Sequence, residues 1–267
     1  MMINKTKPHC YVLFVGGAAD KESFLWGDIK VPFTDVWPHY TMREVAESFN
    51  QKLTEQAAQQ GISQQVLHQQ YRYEYLSYTE IFYDEIKDID FNLDKIDVIS
   101  NPKFQQLIER IGKNTHVYIV GHSLGGWNSA HLSHIFASYD ITTDYLVTLD
   151  PVGTGNHETL PALRGNFIKM AQIYRQTPDP VAEHWLNVRG FYIQVAKKQL
   201  SQSFEDWVAW AGGQWLIEQS YPQVKWQLNE NTDISHRSAG ELFNYQTSEG
   251  LSASDMLVAA ILKELSV

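Results

Sequence analysis

The chain has 267 residues, 43% of them hydrophobic and 19% charged, with 12 Phe, 8 Trp and 14 Tyr. That much apolar area offsets the entropy of ordering the backbone, which excludes wholesale disorder, and the length suits one large α/β domain over 1–267. A formal charge of −10, from 31 acidic against 21 basic residues with no basic stripe, argues against nucleic acid as a partner.

The single cysteine, Cys10, cannot form an internal disulfide and is too little for a zinc site built mainly from thiolates. The apolar stretch from Cys10 to Ala19 is about half of the roughly 20 residues that span a bilayer. Met1 to Pro8 is not followed by a cleavable signal. These features predict a soluble protein, cytoplasmic in the producing cell, and leave export by a signal-independent route open.

In chain order, Cys10 to Val15 is a β-branched and aromatic run ended by Gly16 and Gly17, the pattern of a strand buried on both faces. Val45, Ala46, Phe49 and Leu53 recur at helical spacing. Apolar residues threaded through the glutamines of 51–70 mark a solvated helix face. Tyr71, Tyr73 and Tyr75 alternate with Arg72 and Glu74, as in a strand with one wetter face. Asp88, Asp90, Asn92 and Asp94 have the alternation of a calcium loop, but Leu93 stands where glycine is needed and Ile99 where a bidentate glutamate is needed. A solvated acidic stretch is the better reading.

Phe104, Leu107, Ile108 and Ile111 form one helical face that ends at Gly112, just before the strand His116 to Val120. A helix bearing Leu124, Trp127, Ala130 and Ile135 follows at once. Tyr145 to Leu149 and Trp185 to Ile193 read as further strands, with 167–174 open between helix and strand. Ala253, Met256, Leu257, Ala260, Ile261 and Leu265 make a final amphipathic helix. Strands alternating with helices predict a mostly parallel central sheet with helices on both faces.

Gly121-His122-Ser123-Leu124-Gly125-Gly126 falls between the strand ending at Val120 and the helix opening at Leu124. A serine in a sharp strand-to-helix turn brings the two backbones together, so side chains two residues either side would clash. That context makes Ser123 the candidate nucleophile.

The hexapeptide resembles the nucleophile elbow of lipases and esterases of the α/β-hydrolase superfamily. The resemblance extends to the strand and helix order of most of the chain, and it implies an α/β-hydrolase fold. It further implies that Leu124 N–H is one oxyanion donor and that the loop Gly16-Gly17-Ala18 supplies the second, from Gly17 or Ala18. Chain order in the superfamily runs nucleophile, acid, histidine. His236 lies in a polar loop before the terminal helix, where such proteins carry the base. His131 and His134, three apart on a helix, suit packing better than metal binding. His157 and His184 are less well placed.

Three aspartates compete for the acid. Asp150 ends a strand at the carboxyl edge of the sheet and precedes Pro151, as in lipases similar to the pancreatic type. Asp206 sits in the slot commoner across the superfamily, although it also suits a helix cap, and Asp179 lies between two prolines. Asp150 is preferred.

With these parts the expectation is a serine carboxylic-ester hydrolase, a lipase or phospholipase, needing no cofactor and no metal. The aromatic segment Phe204, Trp207, Trp210, Trp215, Tyr221 and Trp226 reads as a lid or acyl pocket, or as a core helix. Phe24, Leu25, Trp26, Phe33 and Trp37 form a second apolar segment after the oxyanion loop. Lids near 20–40 and 200–222 would favour a lipid-like or aryl ester substrate and transient membrane-surface contact. Signal-free bacterial phospholipases delivered into competing cells are similar in arrangement, which implies an inhibitor or immunity protein as a partner. A thioesterase or other acyl hydrolase would use the same triad, and a non-catalytic binding protein on a hydrolase scaffold is the alternative of a different class.

Overall fold

In the computed structural model, which describes residues 7–17, 20–21, 39–78, 80, 102–153, 177–190, 209 and 213–266, strand β1 (Cys10–Gly16) is buried along its whole length. Cys10, Val12 and Phe14 join one apolar cluster, and Tyr11, Leu13 and Val15 join another. Successive side chains of a strand point to opposite faces, so a continuous apolar run must have protein on both. β3 (His116–His122) repeats the pattern, with Tyr118 and Val120 on one side and Val117 and Ile119 on the other.

Together with β2 (Tyr71–Ser77), β4 (Thr143–Leu149), β5 (Ala182–Gly190) and β6 (Val224–Thr232), these strands form a six-stranded sheet in the order β2-β1-β3-β4-β5-β6. Every pairing is parallel. β5 begins three residues before the predicted Trp185, and 191–193 lie outside the described residues, as do 167–174 and the acidic stretch 88–99. β2 is wetter than its alternation predicts, because among the described strands it is at the edge: Tyr73 as well as Arg72 is exposed.

One face is covered by α1 (Thr41–Gln59), α2 (Gln64–Gln70), α5 (Ala239–Phe243) and α6 (Ala253–Leu265). Phe14, Phe49 and Phe243 pack as a triangle of rings with centroids 5.7–6.3 Å apart. The glutamine-rich stretch is two helices with a turn at Gly61, whose φ of 78° suits glycine. At the start of α6, Ser252 and Asp255 form a reciprocal capping box.

The opposite face carries α3 (Pro102–Ile111), with Phe104, Leu107 and Ile111 buried, and α4 (Leu124–Ser138). The first two turns of α4, Leu124 to Ala130, are buried all round, the state of a helix packed on more than one side. Trp127 and Trp185 are both in ring contact with Trp215, at 5.3 and 5.4 Å. Among the described residues no helix is long and apolar enough to cross a membrane.

Asp20 ties the loop after β1 to α1. Both its carboxylate oxygens lie 3.2 Å from the Met42 N–H, and its carbonyl accepts the Tyr40 N–H at 2.8 Å. Burial raises the carboxyl pKa to about 6, and the amides of Met42 and Thr41 only partly oppose it. The unfolded carboxyl titrates near 3.9, so between about pH 4 and 6 the folded protein binds more protons and its stability falls as pH rises. Asp20→Asn cannot titrate. Urea unfolding should show the stability of the variant, relative to wild type, increasing by about 2–3 kcal/mol between pH 4 and 7. A pH-independent difference would contradict this.

Candidate active site

Ser123 occupies the single residue between β3 and α4, with φ 59° and ψ −128°. For a residue with a Cβ this costs about 1–3 kcal/mol and needs outside support. Support comes from the neighbouring strand and the loop beyond it. Ser123 N–H donates to Leu149 O at 3.0 Å, and Ser123 O accepts from Gly126, Val152 and Trp127 at 3.0, 3.1 and 3.3 Å. The elbow glycines are sterically required: a Cβ on Gly125 would overlap the main chain of Val15 and Gly16, and one on Gly121 would overlap Gly125.

Asp150 follows β4 and His236 follows β6, so both project from the same carboxyl edge as Ser123. His236 Nε2 lies 2.9 Å from Ser123 Oγ, and His236 Nδ1 lies 2.6 Å from Asp150 Oδ2. All three residues are buried, Asp150 completely. An all-parallel sheet covered on both faces, with a serine in a strained strand-to-helix turn and its acid and histidine following in that chain order, decides the fold. The chain has the α/β-hydrolase fold.

In this α/β-hydrolase fold the buried carboxylate is held by more than the histidine. Asp150 Oδ1 accepts Gly190 N–H at 3.1 Å and a hydrogen bond from Gln214 Nε2, which also donates to Gly190 O at 2.7 Å. Asp150 itself sits at φ 45°, and its N–H donates to Val188 O at 2.7 Å. Gln214 arrives on a short segment docked against the loop after β4. Gly153 N–H donates to Gly213 O and Trp215 N–H to Pro151 O, at 2.9 and 2.8 Å.

His122 plays the corresponding part for the histidine. Its Nε2 lies 2.6 Å from the His236 carbonyl, and the two rings are 4.7 Å apart. A carbonyl only accepts, so Nε2 carries the hydrogen. Burial, reinforced by His236, lowers the His122 pKa to about 3 and keeps the ring neutral.

Leu124 and Gly17, the two expected oxyanion residues, both lie beside Ser123. Leu124 is the first residue of α4, so its N–H is one of the donors a helix start leaves unpaired, at the positive end of the helix dipole. Gly17 packs so close that a Cβ there would lie 2.6 Å from Ser123 Cβ. Ala18, the other predicted donor, lies outside the described residues.

Of the competing acids, Asp179 is exposed and bonded to Gln223, away from His236, while Asp206 lies outside the described residues. His184 stacks on Tyr145 at 4.4 Å, His134 bonds the carbonyl of Asp179, and His131 packs edge-on to Trp127. His157 lies outside the described residues. In the aromatic segment near 200–222, Trp215 and Tyr221 are buried in the core against Trp185. Phe204, Trp207 and Trp210, and the segment from Phe24 to Trp37, lie outside the described residues. Sequence reasoning missed His122 and Gln214. The first stood in plain view inside the motif, whereas no local pattern marks the second.

No family model matches the sequence, and no curated protein matches it. Comparison with solved structures finds similar folds. Est1E from Butyrivibrio proteoclasticus is 13% identical with a TM-score of 0.42, covering 99% of this chain and 92% of that one. A Lactobacillus plantarum WCFS1 protein assigned as a cell surface hydrolase is also 13% identical with a TM-score of 0.42, over 98% and 93%. The Vlm2 thioesterase domain is 12% identical with a TM-score of 0.37, over 97% and 94%.

The neutral state of His122 sets an acid-stability prediction. An unfolded histidine titrates near 6.5, so between that pH and about 3 the unfolded chain binds more protons, and stability is lost as pH falls. His122→Gln keeps a side-chain N–H donor without titrating. Wild type should lose about 2 kcal/mol between pH 7 and 5 that the variant keeps, read as a difference in urea midpoints. Equal losses would contradict the assignment.

Proposed function

We propose that the protein is a serine carboxylic-ester hydrolase whose nucleophile is Ser123, base His236 and acid Asp150. The observation that carries this reading is the continuous chain of hydrogen bonds from Ser123 Oγ through His236 to Asp150, buried throughout. A buried serine hydroxyl is a weak nucleophile alone, and an adjacent imidazole oriented by a third group is what activates it.

His236 Nε2 takes the Ser123 proton as Oγ attacks the acyl carbonyl. The electrons displaced onto the carbonyl oxygen are held by Leu124 N–H and by the Gly17 loop. The resulting imidazolium returns its proton to the leaving alcohol as the tetrahedral intermediate collapses to an acyl-enzyme. Water then repeats the cycle, giving the carboxylic acid and restoring the hydroxyl. Throughout, Asp150 holds the hydrogen on His236 Nδ1 and stabilises the cation. His122 and Gln214 fix the two partners by their main chain and carboxylate.

The finer reading is a lipase or phospholipase acting on a lipid-like or aryl ester. Its support is the apolar content of Phe24, Leu25, Trp26, Phe33 and Trp37, next in sequence after the oxyanion loop. Near-equal rates on acetyl and long-chain esters would contradict that finer reading alone.

A fluorophosphonate probe tests the chemistry itself. Intact mass should show one adduct per chain, peptide mapping should place it on Ser123, and Ser123→Ala should carry none. Absence of labelling on folded protein, in buffer and in detergent micelles alike, would contradict the proposal, as would labelling that survives Ser123→Ala.

A further inference from the structure

The edge of the sheet opposite the triad brings together three groups that the proposed hydrolysis does not use. His9 precedes β1, His116 opens β3, and Glu264 lies in the last turn of α6. His116 Nε2 is 3.2 Å from Glu264 Oε2, and His9 Nε2 is 3.9 Å from the same oxygen. All three ligand atoms lie within 4.8 Å of one another, and the two rings meet edge to face at 4.9 Å. The backbones are in register too, since His116 N–H donates to His9 O at 2.8 Å.

A second observation concerns the other nitrogen of His116. Asp144 Oδ1 lies 3.0 Å from His116 Nδ1, while Asp144 Oδ2 accepts the Val117 N–H at 3.0 Å, which fixes the carboxylate. A ring whose Nδ1–H is engaged by a carboxylate presents the lone pair of Nε2, as in the carboxylate–histidine pairs that back metal ligands. That lone pair then faces a carboxylate oxygen, and two acceptors at 3.2 Å need a cation between them. Either a second proton on His116 or a metal ion satisfies both.

We propose that His9, His116 and Glu264 bind a divalent cation of the zinc class, with Asp144 orienting His116. Two imidazoles and a carboxylate suit zinc better than calcium or magnesium, which take all-oxygen sets. Zinc at 2.0–2.1 Å from tetrahedral ligands needs ligand atoms about 3.3–3.4 Å apart. The His116 to Glu264 edge already meets this, and the partly exposed His9 side chain has freedom to close the others. The ligands border surface grooves on two sides, which gives a hydrated ion a way in and leaves a fourth position for water.

At about 3.3 Å per residue along β3 the ion would sit roughly 20 Å from Ser123, too far to act on an ester there. Its effect is on the fold: it clips the residue before β1 and the opening of β3 to the terminal helix. No local spacing betrays this set, because its members come from three distant parts of the chain, and it departs from the metal-free expectation of the sequence.

The test is calorimetric titration of zinc chloride into protein stripped with chelator, followed by thermal melting. Wild type should bind one zinc per chain, and free zinc at a hundred times Kd should raise the melting temperature by roughly 5–10 °C. Glu264→Gln, His116→Ala and His9→Gln should each weaken binding at least tenfold. His236→Ala should bind as wild type does, which separates this site from the triad and makes the result independent of the hydrolase reading. Glu264→Gln is isosteric and answers the question even where His116→Ala does not fold. No uptake by wild type, or uptake undiminished in Glu264→Gln, would overturn the proposal.

Discussion

A carboxylate with no exposure to solvent is the constraint around which the carboxyl edge of this sheet is arranged. The effective penalty for removing such a charge from water is several kcal/mol, and it is tolerated only where donors surround the group. Asp150 draws its donors from Gly190 at the end of β5, from Gln214, and from His236 beyond β6. Three segments far apart in sequence must therefore be in place before the acid is satisfied. The anchoring of Gln214 is apolar, because its neighbour Trp215 is buried against Trp127 and Trp185. Packing on one face of the sheet thus sets the electrostatics of the candidate site.

The same economy governs Ser123. Its backbone is in a conformation that only surrounding structure can hold, and its carbonyl is shared by three amides, two from α4 and one from the loop after β4. That loop also carries Asp150. Strain at the serine and placement of the acid are consequently coupled through one short connection. His122 adds a further link: fixed in β3, it bonds the carbonyl of His236 and holds the histidine loop against the elbow. Removing any of these contacts would be felt at the others, which makes simple additivity a poor guide to variants here.

Much of this was legible in the residues. The run from Cys10 to Val15 and the strand opening at His116 are buried on both faces as their composition requires, and α3 and α6 follow their helical spacing. Asp150 is marked by its place after a strand at the carboxyl edge and His236 by the resemblance, which sets the base before the terminal helix; tertiary structure brings the two within hydrogen-bonding distance. Gln214 was not legible. A glutamine between Gly213 and Trp215 has no periodic signature, and the aromatic residues around it suit a core helix at least as well as a lid. His122 was visible, but its role depends on a loop 114 positions away. The wetness of β2 likewise depends on its place at the edge, which composition does not encode.

In the proposed chemistry Asp150, His236 and Ser123 work as one unit in activating the serine. The most direct test is the second-order rate constant for fluorophosphonate labelling at pH 7 of wild type and Asp150→Asn, with near-UV circular dichroism showing that both are folded. An amide in place of the carboxylate favours the wrong histidine tautomer, and the account predicts a fall on the order of 10³–10⁴. Labelling of the variant within tenfold of wild type would contradict it.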